Sequence, residues 1–430
     1  MKRILAVFVV MSLALSLAGA FGEDGGVTRI VFWHSASEIA GEKLEKYVKE
    51  FNDTIGAEKG IFVEAVYQGS YSDASGKMNS LLSAENYSDL PDVMQLDATG
   101  KQRYMSASVA YTAQEAFEDH PDDKSDDFFP VALGNWNLDG VQLGLPFATS
   151  TTVTFYNASV LDEAPQTFED IADIAAYYDI EDGVEIFACV PNTPLLANWI
   201  GQLGGSVVDG ANGSEATATR LDCIDDGTLL SFLESWKALY ESGALTNRAA
   251  SSDEFVSGRL LVMTGSTSTI SSLLDRIGGR FELGIAPFIR VNDEAQSGAT
   301  VSGSCLVMFN HSDARAEAAW ELVKYLTSAP VQADFAAATG YIPSRLSAVD
   351  EPVWQSLVSD LPIYAAGLEQ LTLTPESMRS VTVGPAADFY YTIQDTVSAM
   401  LTDDLTPEET LIEMERELNG LLERYLKANG

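Results

Sequence analysis

Three observations in the sequence predict an α/β protein built as two lobes. At 430 residues the chain is longer than one hydrophobic core usually serves. Its first third runs strand, helix, strand, helix, strand, an order that implies a parallel sheet with helices on both faces. The second half alternates helical and strand patterns again, and no long Gly/Ser or Pro linker divides the halves. Strands must therefore cross from one lobe to the other.

Residues 29–34 (RIVFWH) read as a buried strand, and Ile39, Leu44, Tyr47, Val48 and Phe51 follow at helical spacing. Residues 60–67 (GIFVEAVY) give a second strand, 71–82 a helix and 92–96 (DVMQL) a third strand. Sheets of this kind bind ligands beyond the carboxyl ends of their strands. Those ends carry His34 and Ser35, then YQGSY at 67–71, then Asp97. Residues 167–178 form a helix with Thr167 as cap and Asp170 three positions on. Residues 229–242, 314–327 and 407–426 are periodic helices, while 281–288 (FELGIAPF) and 302–309 (SGSCLVMF) read as strands.

Lys+Arg 25 against Asp+Glu 63 gives a formal charge of -38, which repels nucleic acid and anionic lipid. Lys2 and Arg3, an apolar run over 4–17 and Ala18-Gly19-Ala20 make a secretory signal peptide over residues 1–20. The run is short of the roughly 20 residues that span a bilayer. No cysteine follows it, so lipid attachment is not expected. Cys189, Cys223 and Cys305 are too few for a disulfide scaffold; in an oxidising compartment Cys189 and Cys223 could pair. His34, His120 and His311 have no neighbours at metal-ligand spacing, so neither a metal site nor a cofactor is expected.

FWHSASE (32–38), YQGSY (67–71), PFATSTTVTFYNASVL (146–161), LVMTGSTSTISSL (261–273), GIAPF (284–288) and TGYIP (339–343) occur in order along the chain. In this the chain resembles the extracellular solute-binding proteins of ABC importers. The likeness is nearest to the glycerol-3-phosphate-binding branch of the group that binds maltose and other sugars. The resemblance implies a periplasmic-binding-protein-like fold, each lobe a mixed sheet flanked by helices, with a ligand cleft between. It places the first lobe at 27–148 and 287–313 and the second at 149–286 and 314–430. It also implies a monomer that closes over a sugar, oligosaccharide or polyol by hinge rotation and delivers it to permease subunits.

Carried over residue by residue, the resemblance nominates Tyr71 as an aromatic ligand contact and Asp97 as a carboxylate for vicinal hydroxyls. Ser150 belongs to a hydroxyl-rich stretch, Thr149 to Thr154, expected to face the cleft and suit a polyol. Thr267 and Ser268 match a small hydroxyl loop. Gly303 matches a glycine whose backbone nears the ligand. Tyr341 of TGYIP is an aromatic wall for a sugar face, with Phe168 and Trp199 as further candidates. One position departs from the branch: alignment through Pro385 puts Asp388 where an arginine engages phosphate, and an acid there repels phosphate. Arg379 lies upstream as a substitute. The departure favours a neutral sugar or polyol, with glycerol 3-phosphate or a glycerophosphodiester as the alternative.

A secreted glycoside hydrolase also suits a signal peptide and many carboxylates, but no Gly-x-Ser-x-Gly elbow is present. The absence of repeats weighs against a structural surface protein.

Overall fold

The computed structural model describes residues 26–429, and the signal peptide expected at 1–20 lies outside them. Strand Thr28–His34 runs parallel to Ile61–Tyr67 on one side and to Val93–Asp97 on the other. Its alternate residues go to opposite faces. Ile30 and Phe32 pack with Leu44, Tyr47 and Phe51 of helix Glu38–Phe51. Trp33 packs with Met78 and Leu82 of helix Tyr71–Ser83. Burial on both faces explains why RIVFWH is largely apolar rather than alternating. The Thr167 cap closes as a full capping box with Asp170 at the start of Phe168–Tyr177, and Ser70 forms another with Asp73.

Strand Val301–Phe309 lies antiparallel between Val93–Asp97 and the first half of the 13-residue strand Leu145–Asn157, with Gly303 level with Thr149 and Val301 with Thr151. From Thr152 onward the long strand changes partners. Its Phe155 faces Met263 of Leu260–Ser266 on one side and Ile285 of Leu283–Pro287 on the other. Glu185–Ala188 and Leu245–Thr246 extend the row, so one ten-stranded sheet passes through both lobes. The second lobe gathers Phe168, Trp199, Phe232, Trp236 and Phe288 in its core.

Two boundaries differ from the sequence reading. Residues 287–300 were assigned to the first lobe, yet Phe288, Ile289 and Val291 pack in the second beside Trp199. The helix from 314 was assigned to the second lobe, yet Asp313–Leu326 and Ala329–Thr339 cover the first sheet through Ala319, Trp320, Val323 and Phe335. The chain therefore crosses near Thr151, near Thr300 and at Ile342, whose N–H donates to the Thr149 carbonyl (2.8 Å). Cys189, Cys223 and Cys305 are unpaired and buried, and burial pushes the Cys189 thiol up to about 12 and the other two higher still.

Helix Asp313–Leu326 is tied down by charge as well as packing. Asp92 is fully buried and accepts from Arg315 Nε (2.6 Å), Arg315 Nη2 (2.7 Å) and the Val31 N–H (2.7 Å). Arg315→Met strands that carboxylate and should cost about 3 kcal/mol in urea unfolding, with part recovered in Asp92→Asn/Arg315→Met. Equal loss in the single and double variants would show that the pair itself is not the source.

Gly303 is the tightest point of the crossing. Its φ is +106°, and a Cβ there would overlap the Ala148 carbonyl oxygen and stand 2.9 Å from its carbon, beside the register shift at Ser304/Cys305. Gly303→Ala should destabilise the protein by about 2 kcal/mol or more, read from the urea midpoint. Wild-type stability in that variant would refute this packing account.

Candidate functional site

A cavity of about 700 Å³ opens between the lobes beyond the carboxyl ends of the first strands. The first lobe contributes Tyr71, Gln95 and the turn Ser35 to Ala40; the second contributes Ser268, Ser271, Ser272 and Asp275. Ala148, from the crossing strand, forms part of the same wall. Helix Ala329–Thr339 of the first lobe supplies Phe335, Ala338 and Thr339, and the segment returning between the lobes supplies Tyr341.

Gln95 organises the first wall. Its Nε2 donates to the Tyr71 hydroxyl (3.0 Å) and to Ser304 Oγ (2.9 Å), and its Oε1 accepts from the Ser35 N–H (3.0 Å). These bonds fix the amide's orientation. The Tyr71 and Tyr341 hydroxyls also contact each other, joining an aromatic of the first helix to one at the third crossing. Burial raises the pKa of both phenols, so both remain protonated donors near neutral pH. The Tyr341 ring stacks on Phe335 (centroids 5.6 Å, 18° between planes). On the opposite wall Ser268 shares a hydrogen bond with Ser266 (2.9 Å) and Ser271 with Tyr364 (2.8 Å).

Ser35 Oγ is buried with no partner among the described residues, and so is His34 Nδ1 beside it. Burial holds His34 below its ordinary pKa, so it is neutral and adds no charge here. Glu38, on the rim, keeps φ at +50°, a conformation that costs a non-glycine residue of order 1 kcal/mol and is common at binding sites. The cavity thus offers ring faces, hydroxyls and one fixed amide, with Glu38 and Asp275 as the carboxylates of its lining among the described residues, a surface suited to a ligand rich in hydroxyls.

Of the residues nominated from sequence, Tyr71, Ser268 and Tyr341 line this cavity. The others lie elsewhere. Ser150 is buried opposite Ser302, and the strand presents Ala148 to the cavity instead. Thr267 is buried and accepts from the Thr151 N–H (3.3 Å) across the crossing. Gly303 is required by the Ala148 backbone rather than by space for a ligand. Phe168 and Trp199 belong to the second core: their rings sit 5.5 Å apart, and Trp199 Nε1 donates to the Ile289 carbonyl (3.2 Å). Asp97 is taken up by Thr99 (2.9 Å) and Ser75 (3.4 Å). Arg379 lays its guanidinium on Gly134 of the first lobe. Asp388 is exposed in the first turn of helix Ala386–Thr402, where a carboxylate favours the helix dipole, and it lies outside the cavity.

Two hydroxyls of the row, Thr151 and Thr154, turn inward rather than toward the cleft, while Thr149 Oγ1 is buried with no partner among the described residues. Thr151 Oγ1 donates to the Ala299 and Thr300 carbonyls (3.2 Å each), and Thr154 Oγ1 accepts from the Ile289 N–H (3.0 Å). These hydroxyls brace the crossing. Gln95 was missed in the sequence, although it is the one polar residue inside DVMQL before the strand end.

Curated relatives include the sn-glycerol-3-phosphate-binding periplasmic protein UgpB of Yersinia pseudotuberculosis, 20% identical over 97% of this chain and 98% of that protein. A maltotriose-binding protein of Pyrococcus abyssi is 24% identical over 60% of this chain and 55% of that protein. Among solved structures, UgpB of Mycobacterium tuberculosis in complex with glycerophosphocholine superposes with a TM-score of 0.73 at 20% identity, covering 93% of this chain and all of that one. The cyclic alpha-maltosyl-1,6-maltose binding protein of Arthrobacter globiformis gives 0.76 at 16% identity, with the same coverage. At these identities the structural likeness is one of fold. The model of the bacterial extracellular solute-binding proteins matches residues 46–361, nearly three quarters of the chain, and carries the remaining step: this protein belongs to that family.

Proposed function

We propose that the chain works outside the cytoplasm as a monomeric receptor that captures a sugar, oligosaccharide or polyol between its lobes and delivers it to the membrane subunits of an ABC importer. One observation carries the ligand class: the cavity joins Tyr71 and the Tyr341 ring stacked on Phe335 to an amide and serines drawn from both lobes. Rings pack on sugar C–H faces, and a buried ligand hydroxyl left unpaired costs about 1–3 kcal/mol, so a lining of donors and acceptors selects for hydroxyls. Relatives named as maltotriose and glycerol-3-phosphate binders fit this class. The expected signal peptide and the periplasmic naming of relatives support the location.

A second reading, glycerol 3-phosphate or a glycerophosphodiester, is favoured by the relatives named as glycerol-3-phosphate binders, although Arg379, on Gly134 of the first lobe, lies outside the lining of the cavity. Asp388, exposed and away from the cavity, does not speak against it.

Melting the protein with mono- and disaccharides and polyols tests the main reading, since a ligand at about 100 times its Kd adds about 2.7 kcal/mol to the folded state. The bound compound should be recovered intact; turnover would point to a hydrolase. Gln95→Leu, which unpins Tyr71, should weaken the best ligand by about 1–3 kcal/mol. If no hydroxyl-rich compound shifts the melt, the ligand class is wrong.

Closure is the second expectation, because contacts made by both lobes exist only when they meet. Small-angle scattering should show a smaller radius of gyration with saturating ligand than without. An unchanged radius would exclude hinge closure.

A further inference from the structure

Two cations and an amide converge on the turn after helix Pro130–Gly134. Lys101, only 2% exposed, donates from Nζ to the Asn135 carbonyl and lies 5.1 Å over the Trp136 ring. From the C-terminal segment, Arg379 brings its Cζ to 3.1 Å from where a Cβ on Gly134 would stand. Among the described residues neither cation forms an ion pair with a carboxylate, although the chain has 63 acids to 25 bases. Asn135 is 6% exposed, and its Nδ2 donor has no hydrogen-bond partner.

Burial pushes Lys101 down to about 8; Cys305 opposes this, the neighbouring Arg379 charge adds to it, and Asp97 opposes it more weakly. Asp97 is itself engaged by Thr99 and Ser75. Buried charges are ordinarily paired and buried donors ordinarily satisfied, so the cluster lacks an acceptor that carries negative charge.

The segments bearing the two cations also form the walls of a second cavity, about 630 Å³, with Thr99, Gln102 and Arg103 on one side and Thr382 and Gly384 on the other. It shares no lining residue with the cavity of Tyr71 and Tyr341. The geometry points to an oxyanion site here, beside the second cavity but outside its lining: Lys101, Asn135 and Arg379 receive a phosphate, sulfate or carboxylate group. A guanidinium offers two parallel donors to such a group, and an ammonium and an amide complete its coordination. Lys101 and Asn135 belong to the first lobe and Arg379 to the C-terminal segment, so the anion bridges the two.

The test uses the whole protein with inorganic phosphate against sodium chloride of matched ionic strength. Phosphate should raise Tm well beyond the chloride control, and Arg379→Gln and Lys101→Met should each weaken it about tenfold or more. Without anion, Lys101→Met should melt no lower than wild type, because an uncompensated buried charge has gone. A lower Tm with wild-type phosphate affinity would make Lys101 purely structural and overturn the proposal. Should Lys101→Met fail to fold, Arg379→Gln alone decides. A phosphate shift no greater than that of chloride also overturns the site. Glycerol 3-phosphate competing with inorganic phosphate marks the anion as part of the solute; simultaneous binding marks a free ion. Neutral sugars binding without any phosphate effect removes the oxyanion site alone, whereas phosphate binding without any sugar or polyol response removes the proposed solute class instead.

Discussion

Everything in this molecule hangs on the strand Leu145–Asn157, which spends its first half in one lobe's sheet and its second half in the other's. Hydrogen bonds on the two halves run to different partners, and the change of neighbours marks the boundary between the lobes. There Gly303 lets the Ala148 carbonyl in, Thr151 grips the Ala299 and Thr300 carbonyls, and Thr267 accepts from the Thr151 N–H. The Thr151 and Thr267 hydroxyls thereby pair backbone groups that the crossing would otherwise leave buried and unpaired. The passage between the lobes is thus short and closely tied, and the cavity lies beside it.

Placement next to that passage gives the cavity its character. Gln95 sits on a rigid central strand with its donor and acceptor ends occupied, so Tyr71 is held before any ligand arrives. Less side-chain freedom then remains to be lost on binding. Tyr341 is set by stacking on Phe335 and by the chain passage at Ile342. The first wall and the third crossing are thereby coupled through two phenol hydroxyls.

Strands and helices were legible in the sequence because burial imposes its period on the residues: RIVFWH, DVMQL and the helix over 314–327 all appear within a residue or two of where pattern placed them. Lobe membership was not legible for that helix, because amphipathicity says that a helix packs without saying on which sheet. The same limit governs the site. Gly303 was read as a close approach of backbone to ligand, and it is a close approach of backbone to backbone; both demand a missing Cβ, and the sequence records only the demand. Phe168 and Trp199 are large aromatics equally at home in a core or on a sugar, and only the fold decides. Tyr71, Ser268 and Tyr341, which the resemblance nominates, line the cavity, whereas Gln95 is a polar residue inside an apolar run and carries no such motif.

The three unpaired cysteines bear on how such a chain is made. Each thiol is buried and held in its unreactive protonated form in the folded state. During maturation under oxidising conditions the hazard is confined to the interval before the core closes, when any two of the three could mispair. For a chain that folds outside the cytoplasm, as proposed here, the yield of native molecules then depends on a race between burial of the three thiols and their oxidation.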